Sequence, residues 1–332
     1  MEVLQYNEIS VEKWDQLLAH GSFVSPFQTH SFSKVLDKIF GFDAAVFALS
    51  DSGEIKVLMG VALMKEPVPV SFFTWRGIIF GGPVIYNATI EELSFFLTEC
   101  GNRLKGKAIY LETRNFFDYS FYKDSFLKSG WKYVPYLNVK LNLSGISKDK
   151  LTSIFKYNRR REINQSIQNS AKYSLCSGKD ELISIYHILQ KTYRIKAKLP
   201  LPPVEFFLEL FKLEIFKAFA VFHEEKTIGG SFCLILPGKS LYTYYYCGLR
   251  DYHKRIFPTH LAVLAALEYA VENKIPIIDF MGAGKPGIDY GVRDYKMEFG
   301  GDLVEEGRFL KVLSPILYKV GEIGLRVKKA LT

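Results

Sequence analysis

The sequence predicts a mixed α/β protein of the α+β kind, built from two tandem copies of one unit, each a mixed central sheet flanked by helices. Three observations predict this. The chain has 332 residues, about twice the common size of one domain. The same order of helices and strands can be read in each half. Within that order, Tyr122-Lys-Asp-Ser-Phe126 matches Tyr295-Lys-Met-Glu-Phe299, each after a helix and a short strand and before a glycine and a further strand.

The elements follow from pattern and punctuation. Residues 10–19 and 31–39 read as helices, the second capped by Ser31 and stopped at Gly41. Residues 43–49 and 55–64 read as strands around an Asp51-Ser-Gly-Glu54 turn, and 78–85 as a strand broken by Gly81-Gly82-Pro83. Residues 89–104 form an amphipathic helix with Thr89 at its cap and Glu91 and Glu92 in its first turn, where they complement the helix dipole. A short strand (108–112), a helix (119–129) and a long strand (131–143) complete the first copy. The second copy reads as strands 216–223, 227–236 and 240–248, a helix 259–273 behind Pro258, a strand 277–280, a helix 290–299 and a strand 302–312. Between the copies, 147–169, 180–198 and 204–213 are helical, interrupted by the Pro-rich Leu199-Pro-Leu-Pro-Pro203. The expected domains are 1–145 and 146–312, followed by an amphipathic helix over 313–332.

Composition bounds the function. Apolar residues make up 48% and charged residues 23%, which excludes a disordered chain. No apolar run approaches the roughly 20 residues that span a bilayer, since the run 261–267 is cut by Glu268. The N-terminus lacks a basic n-region, so a cytoplasmic protein is expected. Cys100, Cys176, Cys233 and Cys247 show no metal spacing and read as small buried hydrophobes. Net charge is +8 and unevenly placed: residues 1–145 hold 14 basic and 15 acidic side chains, residues 146–332 hold 29 and 20. The basic half suits an anionic partner, or is a solvated face.

Four segments then carry a family resemblance: Asn158-Arg-Arg-Arg-Glu-Ile163; Thr192-Tyr-Arg194 before Glu205-Phe-Phe207; Ile228-Gly-Gly230; and Asp279-Phe-Met-Gly282 with Tyr295-Lys-Met-Glu-Phe-Gly300. In order and spacing, residues 150–310 resemble the Fem family of peptidoglycan aminoacyltransferases, which pair two acetyltransferase-like (GNAT) units. Gln28-Thr29, Phe80-Gly-Gly-Pro83 and Tyr110-Leu-Glu112 are similar to family positions in the first half, with Gly81-Gly82-Pro83 where the family has a cation before Gly-Pro. The resemblance implies transfer of an aminoacyl group from aminoacyl-tRNA to an amine of a peptidoglycan precursor, with no cofactor. Related members acylate amino sugars of surface polysaccharides, so an acyl-CoA donor is the alternative; a binding module that kept the fold is a third reading.

Acyl transfer to an amine needs a proton acceptor, oxyanion stabilisation and two held substrates. There is no G-x-S-x-G and no informative Cys/His pairing, which fits direct attack. The resemblance makes Lys296, just after Gly282-Ala-Gly-Lys-Pro-Gly287, the oxyanion or donor-phosphate cation; the alternative is a solvated lysine. It makes Glu112 a base whose pKa burial would raise, the alternative being an ion pair with Arg114. It also implies a substrate-phosphate contact at Arg194; Arg114, Lys34, Arg160 and Tyr246 are further candidate substrate contacts. Arg159, Arg160 and Arg161 cannot all face one way. Tyr242, Tyr244 and Tyr246 alternate and are expected on one strand face, lining a cleft or filling the core. The stretch 248–258 stands where simple GNAT enzymes hold the CoA pyrophosphate, without a glycine run. The six histidines are scattered and read as satisfied or exposed. For the C-terminal helix, Leu313, Ile316, Leu317, Val320, Ile323 and Val327 either pack on the protein or lie on an anionic inner membrane surface.

Overall fold

The computed structural model describes residues 1–65, 75–197 and 201–330, and of residues 196–197 and 325–330 the backbone only. Leu199 and Pro200, in the Pro-rich break, lie outside the described residues. The chain divides into two units: Met1–Pro135 with Glu306–Thr332, and Tyr136–Glu305.

The first copy runs β1 (Glu2–Gln5), α1 (Val11–His20), α2 (His30–Asp37), β2 (Phe42–Asp51), β3 (Glu54–Lys65), β4 (Trp75–Gly81), β5 (Val84–Ile85), α3 (Ile90–Arg103), β6 (Tyr110–Asn115), α4 (Lys123–Lys128), β7 (Lys132–Val134) and β8 (Leu137–Asn142). After α5 (Lys148–Leu151) and α6 (Tyr157–Gln168) the order recurs. It runs β9 (Lys172–Leu175), α7 (Lys179–Thr192), α8 (Val204–Leu210), β10 (Phe216–His223), β11 (Lys226–Leu236), β12 (Ser240–Gly248), α9 (Pro258–Glu272), β13 (Ile277–Gly282), α10 (Gly291–Met297), β14 (Asp302–Glu305) and β15 (Arg308–Val312). The helix α11 (Pro315–Ala330) follows.

Local rules account for the best-defined elements. Thr89 and Glu92 form the expected capping box on α3: the Glu92 amide donates to Thr89 Oγ1 at 3.1 Å and the Thr89 amide to Glu92 Oε2 at 2.8 Å. The helix α9 starts with Pro258 at its first position, and its apolar run 261–267 is buried throughout in the second unit's core. Two short edge strands, β1 and β9, were not expected; each pairs antiparallel with a strand that follows two intervening helices, β1 with β2 and β9 with β10.

The sheets depart from contiguous domains. The first sheet has the order β1-β2-β3-β4-β6-β15-β7 and the second, read from its matching edge, β9-β10-β11-β12-β13-β8-β14. The last strand of each copy therefore fills a slot in the other copy's sheet. The expected boundary at residue 145 falls instead at Pro135, and β15 and α11 belong with the first unit. The two long strands expected at 131–143 and 302–312 are each split at this crossing. Pro135 lacks the N–H needed to continue a ladder, and Gly307 turns with φ +66° against the Tyr133 ring. Once inserted, β15 is core: Phe309 stacks on Phe126 at 3.8 Å, its amide donates to Thr113 Oγ1 at 2.8 Å, and Asn115 Nδ2 donates to the Glu306 carbonyl at 2.9 Å. In the second unit Leu137, Val139 and Leu141 of β8 join the same core as α9.

A fragment spanning residues 136–305 carries every strand of the second sheet, whereas one spanning 146–312 lacks β8 and leaves β13 and β14 without their shared neighbour. The first should melt cooperatively and the second should not, as followed by circular dichroism on heating.

Candidate functional site

In the second unit β12 and β13 run parallel, and their pairing covers only Ser240–Tyr242 against Ile277–Asp279. Beyond Tyr242 and Asp279 the described strands carry no mutual pairing, although β12 runs on to Gly248 and β13 to Gly282. Parallel strands that part at their C-terminal ends leave backbone groups and side chains facing the gap, the usual place for a ligand in such sheets.

A buried network lies here. Arg159 of α6 is the inward member of the arginine run: it is buried, Arg160 is half-buried and Arg161 is exposed. The Arg159 guanidinium donates to Glu298 Oε2 at 2.6 Å, lies 3.6 Å from Glu162 Oε2, and sits over the rings of Tyr295 (4.4 Å) and Phe299 (4.9 Å). His260, in the first turn of α9, has Nε2 3.1 Å from Glu162 Oε2 and Nδ1 3.3 Å from the Tyr295 hydroxyl. Burial and the Arg159 charge push His260 down to about 3, so the ring is neutral. An ionised carboxylate only accepts, so Nε2 carries the proton and Nδ1 accepts from Tyr295. Tyr246 stacks on Tyr295 with centroids 5.7 Å apart. Burial holds the Tyr246 hydroxyl protonated, the neighbouring Tyr295, Tyr193 and Tyr290 add to this, and Arg159 opposes it. Tyr193 begins a π-turn (Tyr193–Ala197) after α7, and Tyr290 caps α10, the helix that carries Tyr295, so four tyrosines from three elements converge.

The alternation expected of Tyr242, Tyr244 and Tyr246 is broken by a register shift between β11 and β12, where Phe232 pairs Tyr245 and Cys233 pairs Thr243. Tyr242 is buried, Tyr244 and Tyr245 meet Phe206 and Phe207, and only Tyr246 meets Tyr295.

Lys296 is 5% exposed on α10. Its Nζ donates to the Gly282 carbonyl at 2.7 Å and the Met281 carbonyl at 3.3 Å, both at the end of β13. Met281 stands at φ +60° in the bulge between Asp279 and Gly282, and its amide donates to Asp279 Oδ1 at 2.6 Å. Burial lowers Lys296 to about 8, with Asp279 pulling the other way. The solvated-lysine alternative therefore fails. An ammonium has three N–H donors, and two are occupied. Arg194, one residue beyond Tyr193, is exposed. A pocket of about 560 Å³ opens along Gly248–His260 at the N-terminus of α9, with Arg250, Lys254 and His253 on its wall.

The other expected positions lie in the first unit. Glu112 is clamped: Arg308 Nη1 donates at 2.9 Å and Arg114 Nε at 3.1 Å to the same oxygen. Burial pushes its carboxyl up, but Arg308 and Arg114 outweigh burial and hold it below the ordinary carboxylate value. The raised pKa expected of a general base is therefore corrected to a lowered one, and the ion-pair alternative holds with Arg308 as an added partner. Arg114 also lies over Phe80 at 5.6 Å. Lys34 is exposed on α2. The Gln28 and Gly81-Gly82-Pro83 motifs meet in a buried knot: Gln28 Nε2 donates to the Gly82 carbonyl, and the Tyr119 hydroxyl lies 2.8 Å from the Gly81 carbonyl and 2.7 Å from that of Pro83. Sequence reasoning missed His260, Tyr290 and Arg308; only the position of His260, two residues after a helix-starting proline, offered a signal.

No protein-family model and no curated protein sequence matches the chain. Solved structures do. The chain is similar to a crystal structure of FemX at 14% identity and TM-score 0.72, over 96% of this chain and 99% of that one. It is similar to a tandem GNAT protein from the clavulanic acid biosynthesis pathway at 8% identity and TM-score 0.59, over 95% and 99%. It is also similar to L-PGS from Bacillus licheniformis at 10% identity and TM-score 0.57, over 92% of each chain. The fold is thus a Fem-like tandem GNAT fold.

Arg159→Met keeps most of the buried volume but strips Glu298 and Glu162 of their shared cation. It should cost roughly 3 kcal/mol, measured by urea unfolding, with the His260 imidazole rising toward its ordinary pKa in an NMR titration because the guanidinium no longer opposes its protonation.

Proposed function

We propose that the chain is an N-acyltransferase that moves an aminoacyl group from aminoacyl-tRNA to an amine of a peptidoglycan precursor in the cytoplasm, by direct attack. The observation that carries the reading is Lys296: a buried ammonium held at the end of β13 with one donor to spare, where the parallel strands part. In the reaction the neutral amine nitrogen attacks the ester carbonyl carbon. Charge builds on the carbonyl oxygen, where the spare N–H of Lys296 would stabilise it. The C–O bond to the ribose then breaks, and the proton lost by the amine goes to the departing oxygen. The convergent tyrosines supply apolar walls and hydroxyl donors for orienting the substrates.

No thiol competes as nucleophile among the described residues. Burial pushes the Cys176, Cys233 and Cys247 thiols up to about 12, and Cys100 upward as well, so all stay protonated at neutral pH. The Fem-like tandem fold supports the same reading. Glu112, with its lowered pKa, reads as an anchor that fixes Arg308 and Arg114 for an anionic part of the acceptor, together with Lys34. Arg194 and Arg160 read as further substrate contacts.

A second reading, an acyl-CoA donor with an amino sugar of a surface polysaccharide as acceptor, is favoured by the pocket along Gly248–His260, because a helix N-terminus beside Arg250 and Lys254 suits a pyrophosphate. Incubation with charged tRNAs or acyl-CoAs and a panel of precursors, read by the mass shift of the acceptor, separates the two; no mass shift with any donor overturns both.

Lys296→Met should lower turnover by about 10²–10³ without lowering the melting temperature; near-normal turnover would sink the assignment. The pH profile gives a second check. The Lys296 charge is present below about 8 and lost above it, so the rate should fall on the alkaline side of that value, and Lys296→Arg should move the alkaline limb upward because guanidinium keeps its proton.

A further inference from the structure

The helix α11 leaves an apolar stripe uncovered. Tyr318 packs edge-on against Tyr110 at 5.5 Å, and Leu313, just before the helix, joins the first unit's core. On a different face Ile316 is 78% exposed, Val320 61% and Ile323 57%. The spacing i, i+4, i+7 puts these three on one line, and at about 100° per residue Tyr318 falls on the opposite side of the helix. Val327 continues the line in the sequence. Packing on the protein, one of the two readings of this stripe, thus holds for Leu313 but not for Ile316, Val320 and Ile323.

The charges around the stripe say what would cover it. From residue 313 onward the sequence has Lys319, Arg326, Lys328 and Lys329 and a single acid, Glu322. By the same 100° rule the exposed Lys319 lies beside the stripe, and Arg326, Lys328 and Lys329 follow in the sequence. An exposed apolar line in a segment with four cations and one acid matches a helix lying in the plane of an anionic bilayer surface, where aliphatic side chains enter the acyl boundary and long basic ones reach back to phosphates. No helix among the described residues is long and apolar enough to cross a membrane. We propose that α11 is an interfacial membrane-docking helix whose Ile316–Val320–Ile323 face binds an anionic lipid surface.

The test uses the full chain and vesicles of phosphatidylcholine with or without phosphatidylglycerol, read by co-sedimentation. It requires no turnover, so it stands or falls separately from the acyltransferase reading. The protein should pellet with phosphatidylglycerol vesicles at low salt and release in 1 M NaCl, where the screening length drops to about 3 Å. The triple variant Ile316→Gln, Val320→Gln, Ile323→Gln should bind at least tenfold more weakly with an unchanged melting temperature. Absence of binding by the parent protein, or equal binding by the variant, overturns the proposal. A lower melting temperature in the variant overturns it too, because the stripe would then be packed within the chain. So does a parent dimer that the variant converts to monomer in sedimentation velocity, because the occupant would then be a second copy.

Discussion

The reciprocal placement of β8 and β15 is the constraint on which the remaining structure depends. Each sheet has a slot between two strands of its own copy, and the slot is filled by the closing strand of the other. A central slot left empty would orphan a row of backbone N–H and C=O groups on both sides, a cost no side chain offsets. The second sheet is complete within Tyr136–Glu305, whereas the first is not complete until the chain has passed through the second unit and returned with β15. The break residues are small in number and local in effect: Pro135 cannot extend a ladder, and Gly307 adopts a left-handed turn beside Tyr133. Those two positions divide each of the two long strands expected at 131–143 and 302–312 into two short strands with different owners.

The same strand placement sets the candidate site. With β8 paired to β13 on one side, β13 can leave β12 after Asp279 without leaving its backbone unpaired on both edges. The bulge at Met281 then turns two carbonyls toward Lys296, which explains how an ammonium can be buried at all: it is solvated by backbone oxygens instead of water. Comparison with Glu112 shows what decides the state of a buried charge. Glu112 has two guanidinium groups on one oxygen, and they overcome burial; Lys296 has only carbonyl dipoles and the Asp279 field, and burial wins. A group left near neutrality by that competition is suited to chemistry, and a fully compensated one to holding its partners in place. His260 carries no charge, and its two ring nitrogens, committed to Glu162 and Tyr295, likewise hold those partners in place.

Much of this protein was legible from its residues. The repeat was visible in the order of elements and in the matched segments around Tyr122 and Tyr295, because strand alternation, helix caps and turn residues are local signals. The cap at Thr89 and the helix start at Pro258 were read from short windows for the same reason, whereas Lys296 was singled out only by the family resemblance. What periodicity could not supply was ownership: a strand's apolar pattern says that it is buried, not in which sheet. The sheet partners of β8 and β15, the shift that breaks the Tyr242–Tyr246 alternation, the choice of Arg159 over Arg160, the arrival of Arg308 at Glu112 and the gathering of Tyr193, Tyr246, Tyr290 and Tyr295 around one ring stack are all contacts between residues far apart in the chain. They are decided by which surfaces exclude water together, and that free energy exists only once the tertiary structure has formed.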